Sequence, residues 1–283
     1  MDIKNTVKIP RVWPSLAVGV GALAIAGLVS NLTLYIIINP TLLPGQEFGD
    51  AVIGEWMQQN MATLTGFLKM LTPIHLALLF LAIIAASRSR TPLWERLGLK
   101  GKSVPVSHYV IFALGVIGVN AIAGWLFLAH ISPAENQMAL ALAFTQVGGI
   151  DGFGIVLYAA TMATFAEEIL FRGFVLRGLL RRWKPIFAIA LPSVLFAIMH
   201  PDPFFILAAL PISIWIGIIV WRTDSLWPAI VCHSFANISL AILNRLYPGP
   251  TVAFFGELTL FPILTGIFGL IFTAISIKIL LKS

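Results

Sequence analysis

The stretch Ala166-Glu167-Glu168-Ile169-Leu170-Phe171-Arg172 lies inside an apolar run from Gly152 to Leu180. It sets two adjacent carboxylates and a guanidinium where charge is expensive. On insertion scales an ionisable side chain at membrane depth costs at least about 2.5 kcal/mol, so its default reading is functional. On a helix Glu168 and Arg172 stand at i,i+4 and pair along one face. Glu167 then points about 100° away from that pair, given about 3.6 residues per turn. An ion pair that served packing alone would leave Glu167 without a partner. The pattern instead neutralises one carboxylate and leaves its neighbour free to face something else.

Working outward, the composition is that of a polytopic membrane protein. Of 283 residues, 59% are hydrophobic and only 11% charged, and several apolar runs reach 18 residues or more. The net charge of +6 does not mark a nucleic-acid binder, because the basic residues lie between apolar runs rather than in one stripe. Cys232 is the one cysteine, which excludes an intrachain disulfide and leaves the redox compartment open. The apolar run Ser15–Ile38, preceded by Lys4, Lys8 and Arg11, is too long for a signal-peptide core of about 7–15 residues and reads as a retained first helix.

The fold class expected is therefore all-α, with about eight transmembrane helices near 15–39, 63–87, 108–130, 152–180, 186–200, 204–221, 226–243 and 255–281. Arg88, Arg90, Arg96, Lys100 and Lys102 fill the second loop, and Arg177, Arg181, Arg182 and Lys184 the fourth. Glu47, Asp50, Glu55, Glu135 and Asp151 occupy the first and third. This alternation places both termini in the cytoplasm and leaves Arg245 as the one basic residue of an outside loop. Gln46–Asn60 is polar enough to lie in the outer interface or to form a short surface helix. Trp94–Leu99 reads as an interfacial anchor, with substrate docking as the alternative. The whole chain, 1–283, is expected to form a single membrane domain: N-terminal helices and loops over 1–145, a core carrying the charged stretch over 146–245 and a last helix in 246–283.

Two further polar features belong with the glutamates. The fifth span runs only about 15 residues from Pro185 to His200, roughly 22 Å of helix against a bilayer core of about 30 Å. It ends in His200-Pro201-Asp202-Pro203, a break that membrane proteins tolerate where it is buried or lines a water-filled cavity. In the seventh span His233 and Asn237 share a face at i,i+4. Counted from the turn between the fourth and fifth spans, Glu167 and His200 rise by the same amount, about 22 Å. Glu167, His200, His233 and Asn237 can therefore converge at one depth. His75, His108 and His130 are read as interfacial, and Cys232 as inert, because its neighbour His233 points about 100° away on a helix.

A carboxylate and a histidine flanking one water can deprotonate it for attack on a carbonyl. A second histidine and an asparagine can donate hydrogen bonds to the resulting oxyanion. The same Glu167, His200 and His233 could instead hold zinc with an open position, although no His-Glu-x-x-His occurs. Spacing leaves metal-bound and metal-free hydrolysis both open.

With these residues in view, the chain resembles the CAAX prenyl protease 2 family, within the larger group of CAAX proteases and bacteriocin-processing enzymes. The resemblance rests on Glu167-Glu168-x-x-x-Arg172, Phe196-x-x-x-His200 and His233-x-x-x-Asn237, each on its own span and in the family's order. Phe171-Arg172-Gly173 and Trp227-Pro228-Ala229 are also similar. It implies an intramembrane endopeptidase whose cavity opens toward the cytoplasm. Glu167 is then expected as general base, with His200 holding the water. His233 and Asn237 are expected as the oxyanion site, and Glu168 and Arg172 as supporting residues. No cofactor is favoured, and zinc is the alternative. The expected partners are the lipid bilayer and a membrane-associated peptide or protein, prenylated in the eukaryotic enzymes, and no nucleic acid. The expected location is the plasma (inner) membrane of a prokaryote. Two other readings compete: a non-enzymatic bacteriocin-immunity or binding protein, and a proton-coupled transporter. The second is disfavoured by the absence of a matching half-repeat.

Overall fold

A computed structural model describes residues 12–131, 147–200, 202–246, 254–256 and 258–282. Among them every regular element is helical. In chain order these are α1 (Trp13–Ile38), α2 (Asp50–Asn60), α3 (Leu64–Ser87), α4 (Leu93–Arg96), α5 (Val106–Leu126), α6 (Gly149–Leu179), α7 (Pro185–Ile198), α8 (Pro203–Thr223), α9 (Trp227–Leu246) and α10 (Leu260–Leu280). Seven are long and apolar enough to cross a membrane: α1, α3, α5, α6, α8, α9 and α10. The chain is an integral membrane protein. Large apolar side chains such as Leu28, Leu32, Leu264, Phe268 and Ile271 stand on the outer surface, where lipid replaces the protein interior as their apolar surrounding.

The fifth expected span is the exception. Helix α7 has only 14 residues, about 21 Å at 1.5 Å per residue. It stops at Ile198, short of the expected His200, because Pro201 and Pro203 disfavour helix in the residues before them. The break expected from the His-Pro-Asp-Pro sequence is present, and His200 lies just beyond the helix end. Asp202 then starts α8 by accepting a hydrogen bond from the Phe204 N–H at 2.8 Å, as an N-cap does.

Helix α6 is the axis of the structure. Its residues Ile169–Leu176 are all buried, packed against α1, α3, α7 and α8. The helix is not a regular α-helix throughout. Ala159–Ala163 and Ile169–Leu176 adopt the wider π geometry, which is concentrated at functional sites in other helices. Glu167 and Glu168 occupy the short α-helical segment between those two π stretches.

The most extensive helix pair is α5 with α10. Gly118 and Gly269 face each other there so closely that a Cβ on either would meet the other helix's backbone. Thr273 seals the pair by donating to the Gly115 carbonyl at 2.8 Å. The small residues near Gly266 and Gly269 thus serve packing within the chain.

Two loop readings are corrected by the structure. Arg245 is in the last turn of α9 rather than in a loop, and donates through Nε and Nη2 to the Val147 carbonyl at 3.1 and 2.8 Å. The 94–99 segment is more than an anchor. Trp94 is exposed, but Arg96 is buried, over the Phe174 ring at 4.5 Å and donating to the Phe174 carbonyl at 3.3 Å. Burial, with Arg181 and Arg177 nearby, lowers its pKa to about 10. Gly98 follows with φ 76°, a left-handed conformation that glycine adopts at no steric cost. Its carbonyl accepts from the Leu226 N–H at 3.0 Å, tying this segment to the start of α9.

Candidate active site

The site is assembled from α3, α6, α9 and the end of α7. Glu168 is fully buried, and Arg172, one α-helical turn on, is 2% exposed. The expected pair forms: Arg172 Nη1 lies 2.9 Å from Glu168 Oε1. The other guanidinium arm donates to Ser213 Oγ at 2.7 Å and to the Ser213 carbonyl at 3.2 Å. The guanidinium also sits over the Phe196 ring at 4.8 Å. The planar fork thereby ties α6 to α7 and α8, a use for which arginine is better suited than lysine.

His233 comes in from α9. Its Nδ1 is 2.8 Å from Glu168 Oε1, and a carboxylate accepts, so Nδ1 carries the proton. Its Nε2 lies 3.8 Å from Glu167 Oε2. That is too long for a direct hydrogen bond and suited to one water reached by both groups. Glu168 Oε2 is buried with no hydrogen-bond partner among the described residues.

Glu167, 8% exposed, points away from the Glu168–Arg172 pair as the helical spacing predicts. It does not lack a partner, however. His75, from the middle of α3, places Nε2 3.4 Å from Glu167 Oε1. The interfacial reading of His75 is overturned: the residue is buried. Its Nδ1 contacts the Leu71 carbonyl at 2.8 Å and the Tyr158 hydroxyl at 2.9 Å. The signal that reveals it is its position midway along an apolar span, where an ionisable side chain is functional by default. His130 is exposed and His108 half-buried, in keeping with the interfacial reading.

His200 lies at the break after α7. Its Nδ1 is 3.2 Å from the Phe196 carbonyl, and its ring meets the Phe196 ring edge-on at 5.2 Å. Phe196 also meets His233 edge-on at 5.7 Å, so one aromatic ring supports both histidines. His200 is within electrostatic reach of Glu167, His233 and His75. Asn237 takes a different position from the carboxylates. Its Nδ2 donates to the Ala159 carbonyl at 3.1 Å and to Thr164 Oγ1 at 3.2 Å, the first in the first π stretch of α6 and the second just after it. Ser234 donates to the neighbouring Ala160 carbonyl at 2.6 Å. Asn237 and Ser234 thus dock α9 on the wide turn, about two helical turns before Glu167.

Among the described residues no three His, Cys, Asp or Glu side chains are grouped to hold a metal ion. In the proposed zinc set, Glu167 and His233 turn Oε2 and Nε2 toward a common gap, while Oε1 of Glu167 is taken by His75. Cys232 is buried, as expected of an inert thiol. An apolar groove of about 390 Å³ is lined by Trp94, Leu99, Lys100, Phe165 and Trp227, and none of the site residues named above lines it. Trp227 Nε1 donates to the Leu99 carbonyl at 2.9 Å, which holds one wall.

No curated protein and no solved structure matches the chain. Residues 150–239 match the family model described as type II CAAX prenyl endopeptidase Rce1-like. That segment is less than half of the chain, yet it holds Glu167, Glu168, Arg172, His200, His233 and Asn237 together. Over that segment the chain is similar to the Rce1-like type II CAAX prenyl endopeptidases.

Proposed function

We propose that the protein cleaves a peptide bond of a membrane-associated or lipidated polypeptide with a water activated by Glu167. The observation that carries this reading is the 3.8 Å gap between Glu167 Oε2 and His233 Nε2, bounded by a carboxylate able to accept a proton and an imidazole able to bind what the attack creates. Glu167 takes the proton of the attacking water as general base. His200, at the helix break, holds that water in line with the carbonyl. His233, whose Nδ1–H is committed to Glu168, receives at Nε2 the water proton that Glu167 has taken up, holds it against the oxyanion and returns it through Glu167, and the Glu168 carboxylate favours that transient imidazolium. Asn237 is the second oxyanion donor. Both of its amide hydrogens have acceptors at rest, so one must be released from Ala159 or Thr164 as substrate arrives. The leaving amine receives its proton back from Glu167. The reaction needs no metal in this reading, and the enzyme acts in the plasma membrane of a prokaryote.

The apolar groove lined by Trp94, Phe165 and Trp227 is a surface that an apolar or lipidated segment of a substrate would fill. The test compares peptide termini in host membranes carrying wild type or Glu167→Ala at matched expression. New termini that depend on Glu167 support the reading and name the substrate. Identical termini in both would leave the non-enzymatic immunity or binding reading in its place.

A further inference from the structure

His75 is outside the segment that matches the family, on α3, and the reaction written above does not use it. Its hydrogen bonds fix a proton count. The Leu71 carbonyl, 2.8 Å from Nδ1, can only accept, so Nδ1 bears a hydrogen. The Tyr158 hydroxyl, 2.9 Å from the same nitrogen, has Thr72 as a second side-chain partner. With the hydrogen fixed on Nδ1 by the Leu71 carbonyl, the hydroxyl oxygen is an acceptor for it. In a neutral imidazole Nε2 would then be a bare lone pair, 3.4 Å from the carboxylate oxygen Glu167 Oε1. Two acceptors facing each other in a buried site repel, and the low dielectric strengthens that repulsion. A second proton on His75 turns the contact into an imidazolium–carboxylate pair.

Charge bookkeeping across α6 agrees. Glu168 has Arg172 as its cation, whereas Glu167 has no lysine or arginine within salt-bridge distance among the described residues. An unpaired carboxylate at membrane depth is costly, and His75 is the group placed to balance it. Of the other imidazoles, His233 Nε2 stands farther from Glu167, at 3.8 Å against 3.4 Å for His75, and His200 Nδ1 lies against the Phe196 carbonyl.

We propose that His75, held by Leu71 and Tyr158, is a positioning residue of the proteolytic site that acts as an imidazolium counter-ion to Glu167. It keeps Glu167 ionised and fixes Oε1, which leaves Oε2 as the oxygen that faces the attacking water. The inference rests on Glu167 being the general base, and its test separates the two.

The full chain in lipid nanodiscs, labelled with heavy nitrogen in histidine, contains five imidazoles, and the signal lost in His75→Gln is that of His75. At neutral pH both nitrogens of His75 are expected to carry protons in the wild type, and one is expected to become bare in Glu167→Gln. A singly protonated His75 in the wild type, or one indifferent to Glu167→Gln, overturns the proposal. Cleavage of a quenched-fluorescent peptide ending in a prenylated CAAX sequence supplies the second readout. His75→Gln is expected to lower kcat at least about tenfold with KM unchanged. Full activity in His75→Gln, where Glu167→Gln is dead, overturns the positioning role but not the base. A peptide left uncut by the wild type counts against the prenyl-substrate reading alone, and the nitrogen spectra still decide the pairing. If His75→Gln fails to fold, single variants of the other four histidines assign the His75 signal by elimination, and the comparison of wild type with Glu167→Gln then decides.

Discussion

Glu168 Oε1 accepts from His233 Nδ1 at 2.8 Å and from Arg172 Nη1 at 2.9 Å, so one buried oxygen links the first and third motifs. This makes Glu168 the residue that sets the His233 ring, not merely the anion that neutralises Arg172. Replacing it removes a charge from beside a buried guanidinium. Breaking a buried pair from one side typically costs about 3–5 kcal/mol. Glu168→Gln is therefore expected to lower the thermal unfolding midpoint in detergent more than Glu167→Gln does, and to abolish cleavage as well. Equal midpoints for the two variants would contradict this ordering.

Arg172→Lys tests the fork rather than the charge. An ammonium at that position keeps the sign but cannot span Glu168 and Ser213 while lying over Phe196. The loss of a hydrogen bond to a charged group costs about 1.5–3 kcal/mol, and that loss is expected in a denaturant or thermal titration. A Ser213→Ala variant, which removes one of those acceptors, should show a smaller loss in the same measurement.

Why the sequence yielded one half of this arrangement and not the other is a matter of range. Glu168 and Arg172 are linked by helix geometry, and i,i+4 spacing is legible without a structure. The shared depth of Glu167 and His200 was legible too, because both are counted from one turn. Contacts between distant spans were not. His75 and Glu167 are 92 positions apart, and nothing in local periodicity states which helix faces α6. The π stretches on either side of Glu167 and Glu168 were also out of reach, since their sequence is as apolar as a regular helix would require. They determine where Ala159 and Ala160 present carbonyls to Asn237 and Ser234. Donor chemistry and the resemblance pointed Asn237 at the oxyanion, and only the folded chain shows its amide engaged with Ala159 and Thr164. The count of spans shows the same limit, because apolar composition marks α7 but its prolines end the helix at Ile198.

Asn237 distinguishes docking from catalysis. In Asn237→Asp a carboxylate oxygen would face the Ala159 carbonyl, two acceptors without a hydrogen between them, so α9 should loosen from the wide turn. Ser234→Ala removes a neighbouring tie, worth about 1 kcal/mol, without touching the proposed oxyanion donors. Cleavage by Asn237→Asp is expected to vanish, whereas Ser234→Ala should keep most of its kcat at a lowered unfolding midpoint. Parallel losses of kcat in both variants would assign Asn237 to docking alone.

Metal removal is a separate test of the proposed chemistry. Glu167 Oε1 faces His75 and Oε2 faces His233, so the carboxylate has imidazole neighbours on both sides. Cleavage of the prenylated peptide is expected to persist after prolonged dialysis against a strong chelator, with metal content followed by mass spectrometry. Activity that disappears with the metal and returns with added zinc would make Glu167, His200 and His233 ligands instead.

The α5–α10 seam makes a prediction about stability that is independent of the site. A methyl group on Gly118 would meet the Gly269–Leu270 backbone, and one on Gly269 would meet Gly118 and Ile117. Backbone cannot swing aside as a flexible side chain can, so overpacking of about 1–3 kcal/mol is expected for Gly118→Ala or Gly269→Ala. Gly21 and Gly27 on α1 have nothing within 4 Å of an added Cβ. Alanine there restricts the unfolded chain without a clash and should be neutral or stabilising by up to about 1 kcal/mol. Unfolding midpoints of the four single variants in one detergent check the contrast. A Gly118→Ala protein as stable as Gly27→Ala would mean that α5 and α10 are not packed backbone to backbone.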